Sequence, residues 1–133
     1  MDKKNLRIIF DIDGTICPIK KKNELYENLI PDTEMVSKIR EYKALGATIV
    51  FHTSRNMRTY GGQIGLINAN TAKTLLFWLD KWDIPYDEII YGKPWPGDYG
   101  FYVDDRAVRP DEFLKYSEEE LINLCNKSKR EIK

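Results

Sequence analysis

Cysteine is scarce in this sequence: there are two, Cys17 and Cys125, and neither belongs to a CxxC or Cys/His cluster. A disulfide framework is thereby excluded, a zinc site is disfavoured, and a reducing compartment fits. Net charge is lacking as well. Lys+Arg and Asp+Glu both number 21, so no global field draws nucleic acid or an anionic membrane. Any attraction to an anionic substrate must be local. No stretch approaches the ~18 apolar residues of a membrane span. The opening MDKKNLRIIFDIDGT has a basic start but no apolar run ending at a small-residue cleavage site, so it does not read as a signal peptide. Repeats, low-complexity stretches and linkers are absent too. The expectation is a soluble, cytoplasmic chain with neither a nucleic-acid nor a membrane partner.

What is present is a globular composition. The 133 residues are 42% hydrophobic and 32% charged, enough for one domain, 1–133, with its own core. Leu6 to Phe10 is a short apolar run rich in Ile, broken by Arg7, and reads as a buried central strand ending at Asp11. Gly14 permits a sharp departure of the backbone, and Thr15 to Lys22 follows as an extended or hairpin-like flap. Pro31 and Asp32 or Thr33 open a helix carrying Met35, Val36, Ile39, Tyr42 and Leu45, and Gly46 stops it. Ala47 to Thr53 is a second strand, and Ser54 to Asn68 a long glycine-containing loop. Asn70 or Thr71 opens a second helix whose Leu, Trp and Phe stripe, with Leu75, Leu76, Leu79 and Trp82, is core. Glu88 to Tyr91 and Gly100 to Val103 complete the strands. Ser117 and Glu120 form a capping box for a last helix with Leu121, Ile122, Leu124 and Cys125, and the tail NKSKREIK reads as its basic, frayed end. Strands alternating with helices imply an α/β fold with a mainly parallel sheet.

In open α/β sheets ligands bind at the carboxyl ends of the strands. Those ends supply Asp11, Thr53 and Asp104, and the loop after the third strand supplies Lys93. Asp11 and Asp13 are two residues apart, so an extended backbone turns both carboxylates to one side. Together with Asp104 and Asp105 they could hold a hard divalent cation, and octahedral Mg²⁺ suits oxygen ligands. The cation would offset repulsion between the carboxylates and a phosphate. Lys93 adds positive charge, and the Thr53 hydroxyl can donate to a phosphoryl oxygen.

These residues and their order resemble the haloacid dehalogenase-like (HAD) phosphohydrolase superfamily. Asp11-Ile12-Asp13-Gly14-Thr15 matches its DxDGT motif. The strand Ile49 to Thr53, Lys93 in Gly92-Lys93-Pro94, and Asp104-Asp105 after Phe101-Tyr102-Val103 match the other three motifs, over about Leu6 to Phe113. The segments TSRNMRTYGGQIG, YGKPW and GFYVDDRAVRP are similar to a narrower group, small phosphatases associated with bacterial capsule polysaccharide biosynthesis. The resemblance implies a Rossmannoid three-layer sandwich. It implies that Asp11 attacks phosphorus to form an aspartyl-phosphate, with Asp13 as acid and then base. Mg²⁺ would be bound by the Asp11 carboxylate, the Asp13 carbonyl and Asp104. Asp105 would bind metal through water or position Lys93. Thr53, Lys93 and N–H groups near Ile12, Asp13 and Ser54 would hold the transferring oxygens.

Members of that superfamily differ mainly in inserted cap domains. Asp13 and Thr53 lie 40 positions apart, as do Thr53 and Lys93, and each interval holds one helix plus loops. The chain is therefore expected to be capless, with an open site. Such a site suits a large substrate, or a homo-oligomer whose neighbouring subunit covers it. The flap and the Ser54–Asn68 loop are the other selecting elements. Arg55 and Arg58 are the candidate substrate ligands, since arginine grips phosphate or carboxylate bidentately; Arg106 and Arg109 flank the acidic pair. The substrate class expected is a small phosphorylated molecule, such as a phosphorylated sugar or nucleotide-sugar adduct. Trp95 is a loop-packing residue or a stacking platform. His52 alternates away from the site and reads as structural. A phosphotransferase or mutase on the same residues, a metal-dependent glycosyltransferase reading of DxD, and an inactive binding module are the rivals. The GT after DxD and the completeness of the motif set weigh against the last two.

Overall fold

The computed structural model describes residues 2–128 and divides the chain into two compact units, 1–95 and 96–133. In the first unit β1 (Arg7–Phe10), β2 (Thr48–Thr53) and β3 (Glu88–Tyr91) form a parallel sheet in the order β1-β2-β3. The connections are α1 (Thr33–Ala44) and α2 (Ile64–Lys81). Right-handed crossovers in that order put both helices on one face of the sheet. Burial follows: Phe10, Ile49, Phe51 and Thr53 are buried with Met35, Val36 and Ile39 of α1 and Ile67, Leu75, Trp78 and Leu79 of α2. The Trp78 indole N–H donates to the Leu29 carbonyl at 2.7 Å, so this large ring is buried with its polar atom satisfied.

The caps explain the boundaries. Asp32 is the N-cap of α1, its carboxylate accepting from the Glu34 and Met35 N–H groups. α2 begins at Ile64, well before the expected Asn70 or Thr71. Gly65 is tolerated in an exposed first turn, and Ile67 and Thr71 extend the buried stripe by one turn. On the same helix Phe77 is 67% exposed while Trp78 is buried, so the expected Phe contribution to the core is corrected to Ile67, Thr71, Leu75, Trp78 and Leu79. Residues 78 and 79 hold the sheet-facing stripe, and 77 falls outside it.

β1 is also corrected. Among the described residues it is an edge strand, not a central one, and Ile9 is 57% exposed. The first unit alone has two layers, with Ile9 and Ile90 exposed.

The second unit contains α3 (Pro110–Lys115) and α4 (Glu118–Ser128). Ser117 and Glu120 form the expected capping box, Glu120 N–H donating to Ser117 Oγ at 3.2 Å and Ser117 N–H to Glu120 Oε1 at 3.0 Å. α3 was not anticipated; Pro110 at its first turn and Glu112, which accepts from the Arg109 N–H, set its start. Gly100 to Val103 does not form the expected strand, and Val103 is 92% exposed. A strand needs a partner ladder, and this unit has no strand among its described residues. The expected frayed end at 126–133 lies mostly outside the described residues. No described helix is long and apolar enough to cross a membrane.

Candidate active site

β1 and β2 are in register through Phe10 opposite Phe51, and Thr53 opposite Tyr91. The carboxyl ends of all three strands therefore finish together. Asp11 and Asp13 follow β1, Thr53 closes β2, and Lys93 follows β3, its N–H donating to the Thr53 carbonyl at 3.1 Å. Gly92 is needed to make that connection. Its φ is +84°, and a Cβ there would overlap the Ile64 side chain.

After Asp13 the chain closes a tight turn. Thr15 and Ile16 donate to the Ile12 carbonyl, and Gly14, at φ +89°, donates to the Cys17 carbonyl. Ile12 and Ile16 are buried and anchor the turn. The backbone of Asp11 and Asp13 is thus held by one hydrophobic pin between them and another just after them.

The Lys93 ammonium lies 3.6 Å from Asp11 Oδ1, an ion pair too long for a hydrogen bond. Thr15 Oγ1 donates to Asp11 Oδ2 at 3.2 Å. Asp13 is gripped more firmly. Arg55 Nε donates to its Oδ2 at 3.1 Å and Nη2 to its Oδ1 at 2.8 Å, a bidentate fork. Arg55 is only 4% exposed. The Tyr26 ring, in a short 3₁₀ turn over Tyr26–Asn28, lies 4.0 Å from the guanidinium carbon. The Arg55 N–H donates to Thr53 Oγ1 at 3.0 Å, leaving the Thr53 hydroxyl proton to be donated elsewhere. The next residue, Asn56, takes φ +64° and is pinned by its amide to Thr71 of α2 at 2.8 Å.

The thiol of Cys17 is 3.7 Å from Asp13 Oδ1. Burial, and next the Asp13 charge, push it up to about 12, so it stays protonated at neutral pH. Burial also raises the Tyr26 and Tyr91 phenols, with Arg55 pulling both back. His52 is lowered below its ordinary 6.5, first by burial and then by the Lys93 charge, with Asp11 opposing. His52 therefore feels the charges of the site although its neighbour Thr53 is the residue that lines it.

The structure brings Asp11, Asp13, Thr53, Arg55 and Lys93 together. Ser54 is half-buried and its carbonyl accepts from the Met57 N–H. Arg58 is exposed, its guanidinium 5.7 Å from the centre of the Trp95 ring. Asp104 and Asp105 belong to the second unit, where Asp104 Oδ1 accepts from the Arg106 N–H at 2.8 Å. Tyr26 and Cys17 were not anticipated as neighbours of Asp13. Cys17 lies in the Thr15–Lys22 segment read as a flap and Tyr26 just beyond it, and no motif marks either.

The two carboxylates and two cations of this cluster balance one another. A phosphate dianion would upset that balance, and a divalent cation would restore it. The donor set fits Mg²⁺ in part. The Asp11 ion pair leaves lone pairs for a cation, whereas both Asp13 carboxylate oxygens are engaged by Arg55. Its backbone carbonyl is then the group left for that role. Among the described residues no group of three or more His, Cys, Asp or Glu side chains gathers as a metal site.

No protein-family model matches the chain, and no curated protein matches it. A crystal structure of a structural-genomics target from Vibrio cholerae is similar. It is 47% identical, covers 93% of this chain and 99% of its own, and superposes with a TM-score of 0.87. At that identity over nearly the whole length, the chain belongs to the same family as the Vibrio cholerae protein.

Proposed function

We propose that this protein is a Mg²⁺-dependent phosphomonoester hydrolase with a HAD-like fold and a capless site. Its proposed substrate is a phosphorylated sugar or nucleotide-sugar adduct of capsule polysaccharide biosynthesis. The observation that carries the reading is the Asp11–Lys93 ion pair at the carboxyl edge of a parallel sheet, with Asp13 two residues on and Thr53 on the adjacent strand. A nucleophile, a proton carrier and two donors for phosphoryl oxygens then share one edge.

In this mechanism an Asp11 oxygen attacks phosphorus as the ester P–O bond breaks. Asp13 delivers its proton to the departing alkoxide. The aspartyl-phosphate is then attacked by water, Asp13 takes the water's proton, and inorganic phosphate leaves with Asp11 regenerated. Lys93 and the Thr53 hydroxyl hold the transferring oxygens through both steps. When bound, Mg²⁺ would orient the phosphate and neutralise its charge. The Asp11 carboxylate and the Asp13 carbonyl are the residues of the first unit that would hold it. Asp104 and Asp105 enter this reading through their place in the sequence pattern alone.

The test is release of inorganic phosphate from a panel of sugar phosphates, amino-alcohol phosphates and nucleotide-sugar conjugates, with Mg²⁺ or with EDTA, and with Asp11→Asn as the blank. Mg²⁺-dependent release that the blank lacks supports the reading. Sugar transfer without phosphate release contradicts it.

A further inference from the structure

Arg55 follows Thr53 on a loop, where the sequence suggests an arginine reaching out for substrate. Its surroundings suggest otherwise. A guanidinium at 4% exposure is unfavourable unless it is paired and hydrogen-bonded. Here two of its nitrogens go to the two oxygens of one carboxylate, at 3.1 and 2.8 Å, while the third, Nη1, is buried with no hydrogen-bond partner among the described residues. Its flat face is covered by Tyr26 at 4.0 Å. Its backbone is fixed through Thr53 Oγ1 on one side and the Asn56–Thr71 hydrogen bond on the other.

We infer that Arg55, backed by Tyr26, is a positioning residue that sets the plane of the Asp13 carboxylate, and not a substrate ligand. A bidentate fork fixes both oxygens at once, which a point charge cannot do. The proton-carrying oxygen is thereby oriented before substrate arrives, and no ordering is left for the reaction step. Tyr26 lies in the segment between the Asp13 turn and α1, so that segment's conformation is tied to the geometry of Asp13. Cys17, 3.7 Å from Oδ1, completes the enclosure.

The kinetic consequence rests on the phosphatase reading; the pairing itself does not. A positioning residue acts on kcat, and a substrate ligand acts on KM. Arg55→Ala should lower kcat by about 100-fold, the penalty of a misplaced catalytic group, with KM changed by less than about threefold. Added guanidinium should restore part of kcat. Arg55→Lys, which keeps the charge without the fork, should remain impaired. Tyr26→Phe should behave as wild type, and Tyr26→Ala should lose activity in the same sense as Arg55→Ala. A loss confined to KM, or full activity in Arg55→Lys, would overturn the inference.

Nitrogen-15 NMR of the arginine Nε–H groups gives a second arm that needs no turnover. The Arg55 Nε–H should exchange slowly with water in the wild-type protein and become fast, with a shifted resonance, in Asp13→Asn. Fast exchange in the wild type, or no response to Asp13→Asn, would equally overturn it. A wild-type protein that releases no phosphate defeats the phosphatase reading, and the NMR arm still decides the pairing.

Discussion

Asp11 and Asp13 are the same residue type two positions apart, yet their surroundings differ. The Asp11 side is loosely held: a lysine at 3.6 Å, one threonine hydroxyl at 3.2 Å, and His52 close enough to feel its charge. The Asp13 side is locked, with a buried bidentate arginine, an aromatic ring behind it and a protonated thiol beside it. A nucleophile needs oxygen lone pairs that are accessible. A proton carrier needs a fixed orientation. On the proposed mechanism, the contrast gives identical side chains two roles through what the loops after β2 and β3 bring to each, Arg55 to Asp13 and Lys93 to Asp11.

The largest expected effect comes from the loosely held side. Asp11→Asn should abolish turnover while the thermal midpoint stays near that of wild type, because the amide is isosteric but cannot attack phosphorus. Retained activity would remove the distinction between the two residues. On the locked side, Asp13→Asn should lower kcat by about 10²–10⁴-fold, the usual worth of a positioned acid–base group. It should also lower the thermal midpoint more than Asp11→Asn does, because it leaves the buried Arg55 without its counter-charge. Equal thermal midpoints for the two variants would break the comparison.

Smaller effects sharpen it. Lys93→Ala should slow phosphate release by about 100-fold, as expected for loss of one donor to the transferring oxygens, measured by steady-state kinetics on the best substrate. Iodoacetamide should modify Cys125 in the folded protein and reach Cys17 only after unfolding, since a thiol pushed up to about 12 offers almost no thiolate; peptide mass mapping reads this directly. The smallest effect concerns His52. Its folded pKa lies below 6.5, so on acidification through that value the unfolded chain binds a proton that the folded chain refuses. Stability should therefore fall as pH drops through 6.5 and level off below the lowered folded value. His52→Gln should flatten that part of the thermal-midpoint profile.

Much of the first unit was legible because local chemistry and burial agree there. Asp32 caps α1, Gly46 ends it, and the ATIVFHT and EIIY runs become strands at or within one residue of the expected bounds. The edge shared by Asp11, Thr53 and Lys93 was legible for the same reason, since strand ends are set by turns. What was not legible depends on partners distant in sequence. Gly100 to Val103 has the composition of a strand, but a strand is defined by its neighbour. The start of α2 was obscured by Gly65, because the favourable burial of Ile67 is invisible until the helix meets the sheet. Arg55 reads from the sequence as a candidate substrate ligand because nothing local announces Asp13, 42 residues earlier, or Tyr26 as its partners.

The central claim is that Asp11 carries the phosphoryl group. With the best substrate from the phosphate-release panel, the reaction is quenched in the steady state with sodium borohydride, which reduces an acyl phosphate on aspartate to homoserine. Peptide mass spectrometry then locates the change. The account predicts homoserine at position 11, absent when substrate is omitted. Turnover with an unmodified Asp11, or with the modification at Asp13, would contradict it.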